Sequence, residues 1–466
     1  MAARRLEALQ FALPLLLCLL ANSRPGAYAQ NTTITAADQA AFQQALNQVD
    51  AGNSEQAEPV LRRLAGRYPS NDQISEALGL IYAERGEMTQ ALPYLQRACK
   101  DAPNSALDHA NLGTALFKLG RTREAATELA AAARLDPRNA ETLSSLGQSY
   151  MLLGDPAHAV HAFSQAAALA PPNADLLYNW ALALSRTNQT AAAAKVLDRI
   201  PADQISDQSE SLAGDIEEKL GNFMSAVKHD QKAAEINPSE ANFYALTVEF
   251  LRHWTWDAAT TNAEYAVKKY PASARLQLAL AVALYGDKRF PDAAKVFDGL
   301  LQRDPANSAY ADMLGRTCGE ISGDNPNCDT LLSFSNHHPR NPSAAFYAAR
   351  QIMGRPHSAA DLNQAESLLK RATATDPKLA DAWYEYGLVE ADRNQWPLCA
   401  RMLEKAIALR PDYASAHYQL AIAYAHLGRN SDRTKELALF QKYSKQEKEH
   451  VDTEVRQMTV FLTKSK

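Results

Sequence analysis

The sequence contains little glycine and no alternating run of β-branched residues. Glycine accounts for only 19 of the 466 residues. A half-buried β-strand would show apolar and polar residues in alternation, and that pattern is missing here. Alanine is abundant instead, and it has the highest helix propensity of all residues. The composition therefore argues against a β fold and predicts helices throughout the chain.

The sequence also has no excess of positive charge, with 48 lysines and arginines against 53 aspartates and glutamates. The chain has a net charge of −5, and its first 29 residues carry three arginines and one glutamate, so the remainder has a net charge of about −7. Proteins that bind nucleic acid or anionic membranes usually carry a basic stripe. The charge balance therefore argues against a nucleic-acid partner and against an anionic membrane surface.

Only one long apolar run is present, and it lies near the start. Phe11–Ala21 is a run of eleven residues that follows two arginines and precedes a small-x-small site ending at Ala29. A bilayer-spanning helix needs roughly 20 apolar residues, whereas this order of segments is typical of a secretion signal. We expect a cleaved signal at residues 1–29 and an exported mature chain, periplasmic or secreted, without a transmembrane segment. An uncleaved membrane anchor is the alternative.

What the sequence does contain is an internal repeat of about 34 residues. Its clearest mark is a proline after a short apolar stretch, and most successive prolines lie 33 or 34 positions apart. These closing prolines are Pro69, Pro103, Pro137, Pro171, Pro238, Pro271, Pro305, Pro339, Pro377 and Pro411. One gap of 67 positions spans two repeats, and one gap of 38 contains about four extra residues. Such regularity predicts an array in which each unit packs against the next.

Within each repeat, small and apolar residues recur at fixed places. A Leu-Gly pair is followed by a second glycine, then by alanines and the closing proline. The paired glycines are Gly79 with Gly86, Gly113 with Gly120, and Gly147 with Gly154. The first glycine lets two helices approach closely, and the second ends the first helix in a left-handed cap. A residue before proline avoids the helical region and ends the second helix. The pattern predicts a pair of antiparallel helices in each repeat.

This order of residues resembles the tetratricopeptide repeat family, over roughly residues 38–445. The resemblance implies an all-α, right-handed α-solenoid of about 12 helix pairs. It also implies that the concave face, lined by the first helix of each pair, binds a protein or peptide partner. We expect residues 30–37 to form a short linker. Residues 446–466 read as a C-terminal capping helix, with a partner-binding amphipathic tail as the alternative.

The repeat pattern is interrupted in four places. A tryptophan pair replaces the usual glycine turn in one repeat, and another turn is rich in Gly, Asn and Asp. The interruptions lie at Pro201–Ser206, His253–Asp257, Gly319–Asn327 and Gly354–Asn363. Each is either an insertion loop of the kind that carries function in repeat proteins or a degenerate repeat.

Two cysteines flank the polar turn. Cys318 and Cys328 lie ten positions apart, near the end of a first helix and the start of the second. Because thiols outside the cytoplasm tend to oxidise, we expect a structural disulfide worth roughly 2–3 kcal/mol. The spacing does not match that of thiol oxidoreductases. Cys99 and Cys399 fall on second helices and are expected to be buried free thiols.

Signatures of metal binding and catalysis are missing. His158 and His161 lie three apart with Asp155 before them, but the repeat register puts them on the outer part of a second helix without a second cluster. We therefore expect no metal site there. There is also no phosphate loop or hydrolase motif, and no stretch outside the repeats is long enough for a catalytic domain. The sequence predicts a protein without enzymatic activity or cofactor.

Candidate partner-binding residues occupy one place on the first helices. This place holds aromatic residues in four repeats, and two repeats have asparagine one position later. The candidates are Tyr178, Phe346, Tyr384, Tyr418, Asn111 and Asn179. Tyrosine offers a large contact area with a polar tip, although helix packing alone explains such tyrosines equally well. The basic clamp that holds a peptide's terminal carboxylate in some relatives is not evident, since Glu76, Ala110 and Ser144 occupy its places.

The function predicted from these features is that of an extracytoplasmic interaction scaffold. It would hold a protein or peptide partner and belong to an envelope complex. The alternative, from a different class, is a subunit that supports the export or assembly of envelope polysaccharide, because tyrosine- and tryptophan-rich grooves stack on sugars.

Overall fold

The computed structural model describes residues 34–321 and 323–444, and this part of the chain is almost wholly helical. Within it lie 24 α-helices and no β-strand. The helices are arranged as consecutive packed pairs, so the predicted all-α fold of repeated helix pairs is confirmed. The expected signal at residues 1–29 and the expected capping helix at 446–466 lie outside the described residues.

The chain divides into two compact units, with the boundary between Ala226 and Val227. The helices of the first unit are α1 (Ala36–Asp50), α2 (Ser54–Arg67), α3 (Asp72–Glu84), α4 (Met88–Asp101), α5 (Ala106–Lys118), α6 (Thr122–Leu135), α7 (Ala140–Leu152), α8 (Pro156–Leu169), α9 (Ala174–Arg186), α10 (Thr190–Leu197) and α11 (Asp207–Leu220). The boundary falls within α12 (Phe223–Ile236).

The second unit continues the same alternation of first and second helices. Its helices are α13 (Glu240–Arg252), α14 (Trp256–Lys269), α15 (Ala274–Gly286), α16 (Phe290–Arg303), α17 (Ser308–Gly319), α18 (Thr330–His337), α19 (Pro342–Met353), α20 (Ala359–Thr375), α21 (Ala380–Asp392), α22 (Trp396–Leu409), α23 (Ala414–His426) and α24 (residues 430–444). No helix in the described residues is long and apolar enough to cross a membrane.

The glycine of the Leu-Gly pair allows the two helices of a repeat to touch. A Cβ placed on Gly113 in α5 would lie 2.7 Å from the Cγ of Leu129 in α6, and one on Gly147 would lie 2.5 Å from the ring of Phe163. Leu129 and Phe163 are both fully buried. The predicted close approach is confirmed, and a larger residue at either glycine would have to displace a core side chain.

The second glycine adopts the left-handed conformation that the sequence predicts. The backbone φ of Gly120 is +74° and that of Gly428 is also +74°, which costs glycine nothing but strains other residues. Four repeats place a different residue in this turn, with φ between 57° and 62°. They are Asn188, Trp254, Lys288 and Asn394.

Second helices end two residues before the closing proline, in line with the prediction that the residue before proline ends the helix. α6 ends at Leu135, α16 at Arg303 and α20 at Thr375. In each case the next residue is the aspartate of an Asp-Pro pair. Proline disfavours the helical conformation of the residue before it, so the helix stops there.

The interrupted repeats keep their helix pairs but change their lengths. α10 has only eight residues and is followed by a 3-10 turn at Ala202–Gln204. α18 is equally short and follows a 3-10 turn at Pro326–Cys328. The extra residues after α19 form a loop, and α20 then begins with a capping box between Ser358 and Asp361 and runs for 17 residues.

Candidate partner-binding face

The candidate aromatic residues all lie on first helices but differ in how much surface they present. In the second unit, Tyr418 on α23 has 43% of its surface exposed, and Tyr384 on α21 is half-buried. Tyr178 on α9 of the first unit is also half-buried. Phe346 on α19 is only 5% exposed, so it has little surface to offer a partner. We call the surface of α21 and α23 around Tyr384 and Tyr418 the first-helix face of the second unit.

Both tyrosines of this face are held by other aromatic rings. The ring centroid of Tyr384 lies 4.9 Å from that of Tyr413, and the ring centroid of Tyr418 lies 5.2 Å from that of Phe440. Such offset or tilted ring pairs are favourable. They restrict the tyrosine side chains, which lowers the entropic cost of a further contact.

Charged groups surround Tyr384. The guanidinium of Arg410 lies 3.2 Å from the ring centre of Tyr413 and donates to Asp381 over 2.9 Å. Glu385 is nearly buried, and burial raises the pKa of its carboxyl to about 7, even though Arg350 lies 3.7 Å away. The face therefore combines aromatic area with groups of both signs, and one carboxyl there changes charge near neutral pH.

The asparagine candidates are buried. Asn111 is 6% exposed, and its side-chain amide donates to Glu76 Oε1 over 3.1 Å. Asn179 is fully buried, and neither its amide nitrogen nor its oxygen has a hydrogen-bond partner among the described residues. Both asparagines therefore have little surface to offer a partner.

Buried acids lie on first helices of the first unit, and one of them, Glu76, occupies a place of the carboxylate-binding clamp. Burial, helped by the nearby Asp108 and Asp72, raises the pKa of Glu76 to about 8. Burial likewise raises the pKa of Asp108 to about 6. The sequence already indicated that the clamp was missing, but it did not reveal these buried acids. An acidic residue five to eight positions after the closing proline is the signal that could have found them.

A hydrogen bond that sequence reasoning missed fixes the start of several first helices. The side chain six residues after the closing proline lies within hydrogen-bond distance of that proline's carbonyl oxygen. The pairs are His109 with Pro103 (3.1 Å), Gln277 with Pro271 (2.6 Å), Trp383 with Pro377 (2.9 Å) and His417 with Pro411 (2.9 Å). The last two bonds anchor the helices that carry Tyr384 and Tyr418.

The cysteines lie where the sequence placed them. Cys318 and Cys328 are joined by a disulfide with a Cα–Cα distance of 6.0 Å, which is ordinary for this bond. The bridge connects the end of α17 to the turn before α18. Cys99 and Cys399 are buried free thiols, and burial raises the pKa of both.

His158 contacts the residue that caps its own helix. His158 Nδ1 lies 2.6 Å from Asp155 Oδ2, and the side chain of Asp155 caps the start of α8.

Comparison with known proteins identifies the repeats. The pattern of the tetratricopeptide repeat matches residues 42–106, 111–174, 145–210 and 244–308. The chain carries tetratricopeptide repeats. Proteins built from these repeats act as protein-interaction scaffolds and are generally not enzymes.

Solved structures of other proteins resemble parts of the chain. PilF of Pseudomonas aeruginosa shares 21% sequence identity over 44% of this chain and 94% of its own, with a TM-score of 0.37. A tetratricopeptide repeat protein from Parabacteroides merdae shares 15% over 53% of this chain and 98% of its own, with a TM-score of 0.37. MamA from Desulfovibrio magneticus RS-1 shares 19% sequence identity over 36% of this chain and 95% of its own, with a TM-score of 0.34. No curated protein matches the chain.

Proposed function

We propose that the protein is an exported scaffold that holds a protein or peptide partner on the first-helix face of its second unit. The observation that carries this proposal is the exposed ring of Tyr418 on α23 together with the half-buried ring of Tyr384 on α21, the preceding first helix, each supported by another aromatic ring. Rigid tyrosines offer a large contact area at low conformational cost.

The charges favour an internal segment of the partner over its C-terminus. In the first unit, the places of the carboxylate clamp hold Glu76, Ala110 and Ser144, none of them a cation, and Glu76 is buried. In the second unit, Asp381 and Glu385 flank the tyrosines, and both nearby arginines already contact them. Because each of these arginines already contacts an acidic side chain, the face offers no uncommitted cation for a terminal carboxylate.

Binding can be tested by affinity capture from an envelope extract. We expect the variant Tyr384→Ala with Tyr418→Ala to capture at least about tenfold less of the specific partner, because buried aromatic anchors dominate such interfaces. Its melting temperature should stay within about 2 °C of the parent. Tyr265→Ala is the matched control, since Tyr265 is 57% exposed on α14, a second helix, and packs 5.4 Å from Phe243.

Two results would contradict the proposal. Capture of no specific protein at micromolar concentration would argue against a scaffold. A large fall in melting temperature of the double variant, with unchanged capture by the folded fraction, would show that the tyrosines are packing residues.

The export part of the proposal rests on the apolar run and the small-x-small site near Ala29. Cell fractionation followed by sequencing of the mature N-terminus tests it. We expect a chain that starts near Gln30 outside the cytoplasm. An intact N-terminus in the cytoplasmic fraction would contradict export while leaving the binding face untouched.

A role in handling envelope glycans is the second candidate. Trp254 is 38% exposed and stacks on Trp256 with ring centroids 6.2 Å apart, and exposed indole rings bind the apolar faces of sugars through similar contacts. A glycan array with the parent and Trp254→Ala separates the two functions. Binding lost in Trp254→Ala, with protein capture unchanged, would favour the glycan role.

A further inference from the structure

Three metal-ligating side chains meet in the first unit, outside the first-helix face. Cys99 on α4, His109 on α5 and Glu128 on α6 each offer one ligand atom, and these atoms lie within 4.8 Å of one another. A thiolate, an imidazole and a carboxylate are the three ligand types that zinc accepts. We propose that Cys99, His109 and Glu128 bind a zinc ion, with water in the fourth position.

The imidazole of His109 is oriented for this role. Its Nε2 lies 3.1 Å from the carbonyl oxygen of Pro103, which can only accept a hydrogen bond, so Nε2 carries a proton. Metal-binding histidines usually donate their second ring nitrogen to a carbonyl in this way. In the neutral ring the lone pair then lies on Nδ1, which is 2.6 Å from Glu128 Oε2.

The contact of 2.6 Å between His109 Nδ1 and Glu128 Oε2 requires a proton or a metal ion between the two atoms. A neutral ring would point a lone pair at a carboxylate, so either a proton or a metal ion must lie there. Two ligands on one tetrahedral zinc are separated by roughly 3.3 Å, given bonds of about 2.0–2.1 Å. Glu128 is partly exposed, and a shift of its carboxylate by less than about 1 Å makes room for the ion.

The chain contains a second copy of this arrangement without the thiol. His417 Nδ1 lies 2.6 Å from Glu436 Oε2, and its Nε2 lies 2.9 Å from the carbonyl oxygen of Pro411. Cys99 lies four positions before its closing proline, and Ile407 holds that position in the second copy. The histidine–carboxylate pair is therefore a feature of the repeat, whereas the thiol is what distinguishes the first copy.

Acidic side chains lie near Cys99. Burial raises the pKa of the Cys99 thiol, and the nearby carboxyl groups of Asp108, Glu128 and Glu76 add to this effect. When zinc binds, the sulfur forms the bond to zinc and its proton leaves to solvent, so binding releases one proton from Cys99.

The two copies make a matched experiment on the full chain. Zinc chloride is titrated against a chromophoric chelator, and cobalt(II) serves as a spectroscopic probe. The parent should bind one equivalent of zinc and show a thiolate-to-cobalt charge-transfer band. Cys99→Ile, which installs the residue of the second copy, should weaken zinc binding at least about tenfold and abolish the band. Ile407→Cys should raise the stoichiometry to two, and Cys399→Ala should match the parent.

Several results would overturn the site. They are a parent chain that binds no zinc, a cobalt complex without the thiolate band, or a Cys99→Ile variant that binds zinc as the parent does. An Ile407→Cys variant that still binds one equivalent would contradict the geometric basis. If the parent chain binds no zinc, a proton between His109 and Glu128, and not a metal ion, accounts for the short contact.

Discussion

The regular repeats of the first unit and the interrupted repeat at α17–α18 of the second unit hold their helices together differently. In α7 and α8, Gly147 packs against Phe163 of its own repeat, and the turn between the helices contains Gly154 with φ +76°. In the interrupted repeat, Gly315 packs against Tyr347 of the following first helix.

The turn of the interrupted repeat is tied by other bonds. The disulfide joins Cys318 to Cys328, and Arg350 donates to the carbonyl oxygen of Gly319 over 3.2 Å. The same arginine reaches Glu385 on α21. A helix pair thus persists without the usual glycine turn when a covalent bridge and a cationic side chain satisfy the end of the first helix.

The largest expected effect comes from the titration of Glu385. The pKa of this carboxyl is raised from 4.5 to about 7 in the folded chain, by burial and by Asp381, against the opposing effect of Arg350. The folded chain therefore keeps the proton between pH 4.5 and 7 while the unfolded chain loses it. The stability that this group contributes is full below pH 4.5 and falls as pH rises towards 7, by roughly 3 kcal/mol.

Denaturant unfolding of the parent and Glu385→Gln across this range measures the contribution. The difference in unfolding free energy, parent minus variant, should decrease from pH 4.5 to 8. A difference that stays constant with pH would show that Arg350 keeps the carboxylate charged throughout.

Loss of the disulfide is the next largest effect. Cys318→Ala with Cys328→Ala should lower the free energy of unfolding by about 2–3 kcal/mol. A reductant should lower the melting temperature of the parent to that of the variant and leave the variant unchanged. A parent that does not respond to reductant would mean that the bridge adds nothing to this turn.

Replacing a glycine by alanine should lower the free energy of unfolding where the glycine contacts a core side chain, and should not do so where no atom lies nearby. Gly147→Ala places a Cβ against the ring of Phe163 and should cost about 2 kcal/mol. Gly299→Ala in α16 meets no atom within 4 Å and should stabilise by up to about 1 kcal/mol through helix propensity. Equal changes in the free energy of unfolding for Gly147→Ala and Gly299→Ala, measured by chemical denaturation, would contradict this prediction.

The smallest effect concerns the left-handed turns. Lys288 is exposed with φ +62°, so Lys288→Gly should stabilise by about 1 kcal/mol. The reciprocal change Gly120→Ala should destabilise by a similar amount. Melting temperatures that move in the same direction for both variants would contradict the role of backbone strain.

The sequence predicts the features that depend on local backbone conformation. The helix pairs, the turn at Gly120 and the helix end before Pro137 each depend on a local rule about glycine or proline, and each was predicted correctly. The side-chain environment depends on neighbouring repeats. Phe346 and Asn179 occupy positions that the repeat pattern favours for binding, yet both are buried. The hydrogen bond from the sixth residue after a closing proline to that proline's carbonyl oxygen also depends on side-chain geometry.

Site-specific photo-crosslinking tests the central claim, which is that the first-helix face holds the partner. A photoreactive phenylalanine analogue is introduced in place of Tyr418, or in place of Tyr265 on a second helix. We predict a specific crosslinked protein from Tyr418 and none from Tyr265. The same product from both positions, or a product from Tyr265 alone, would contradict the account.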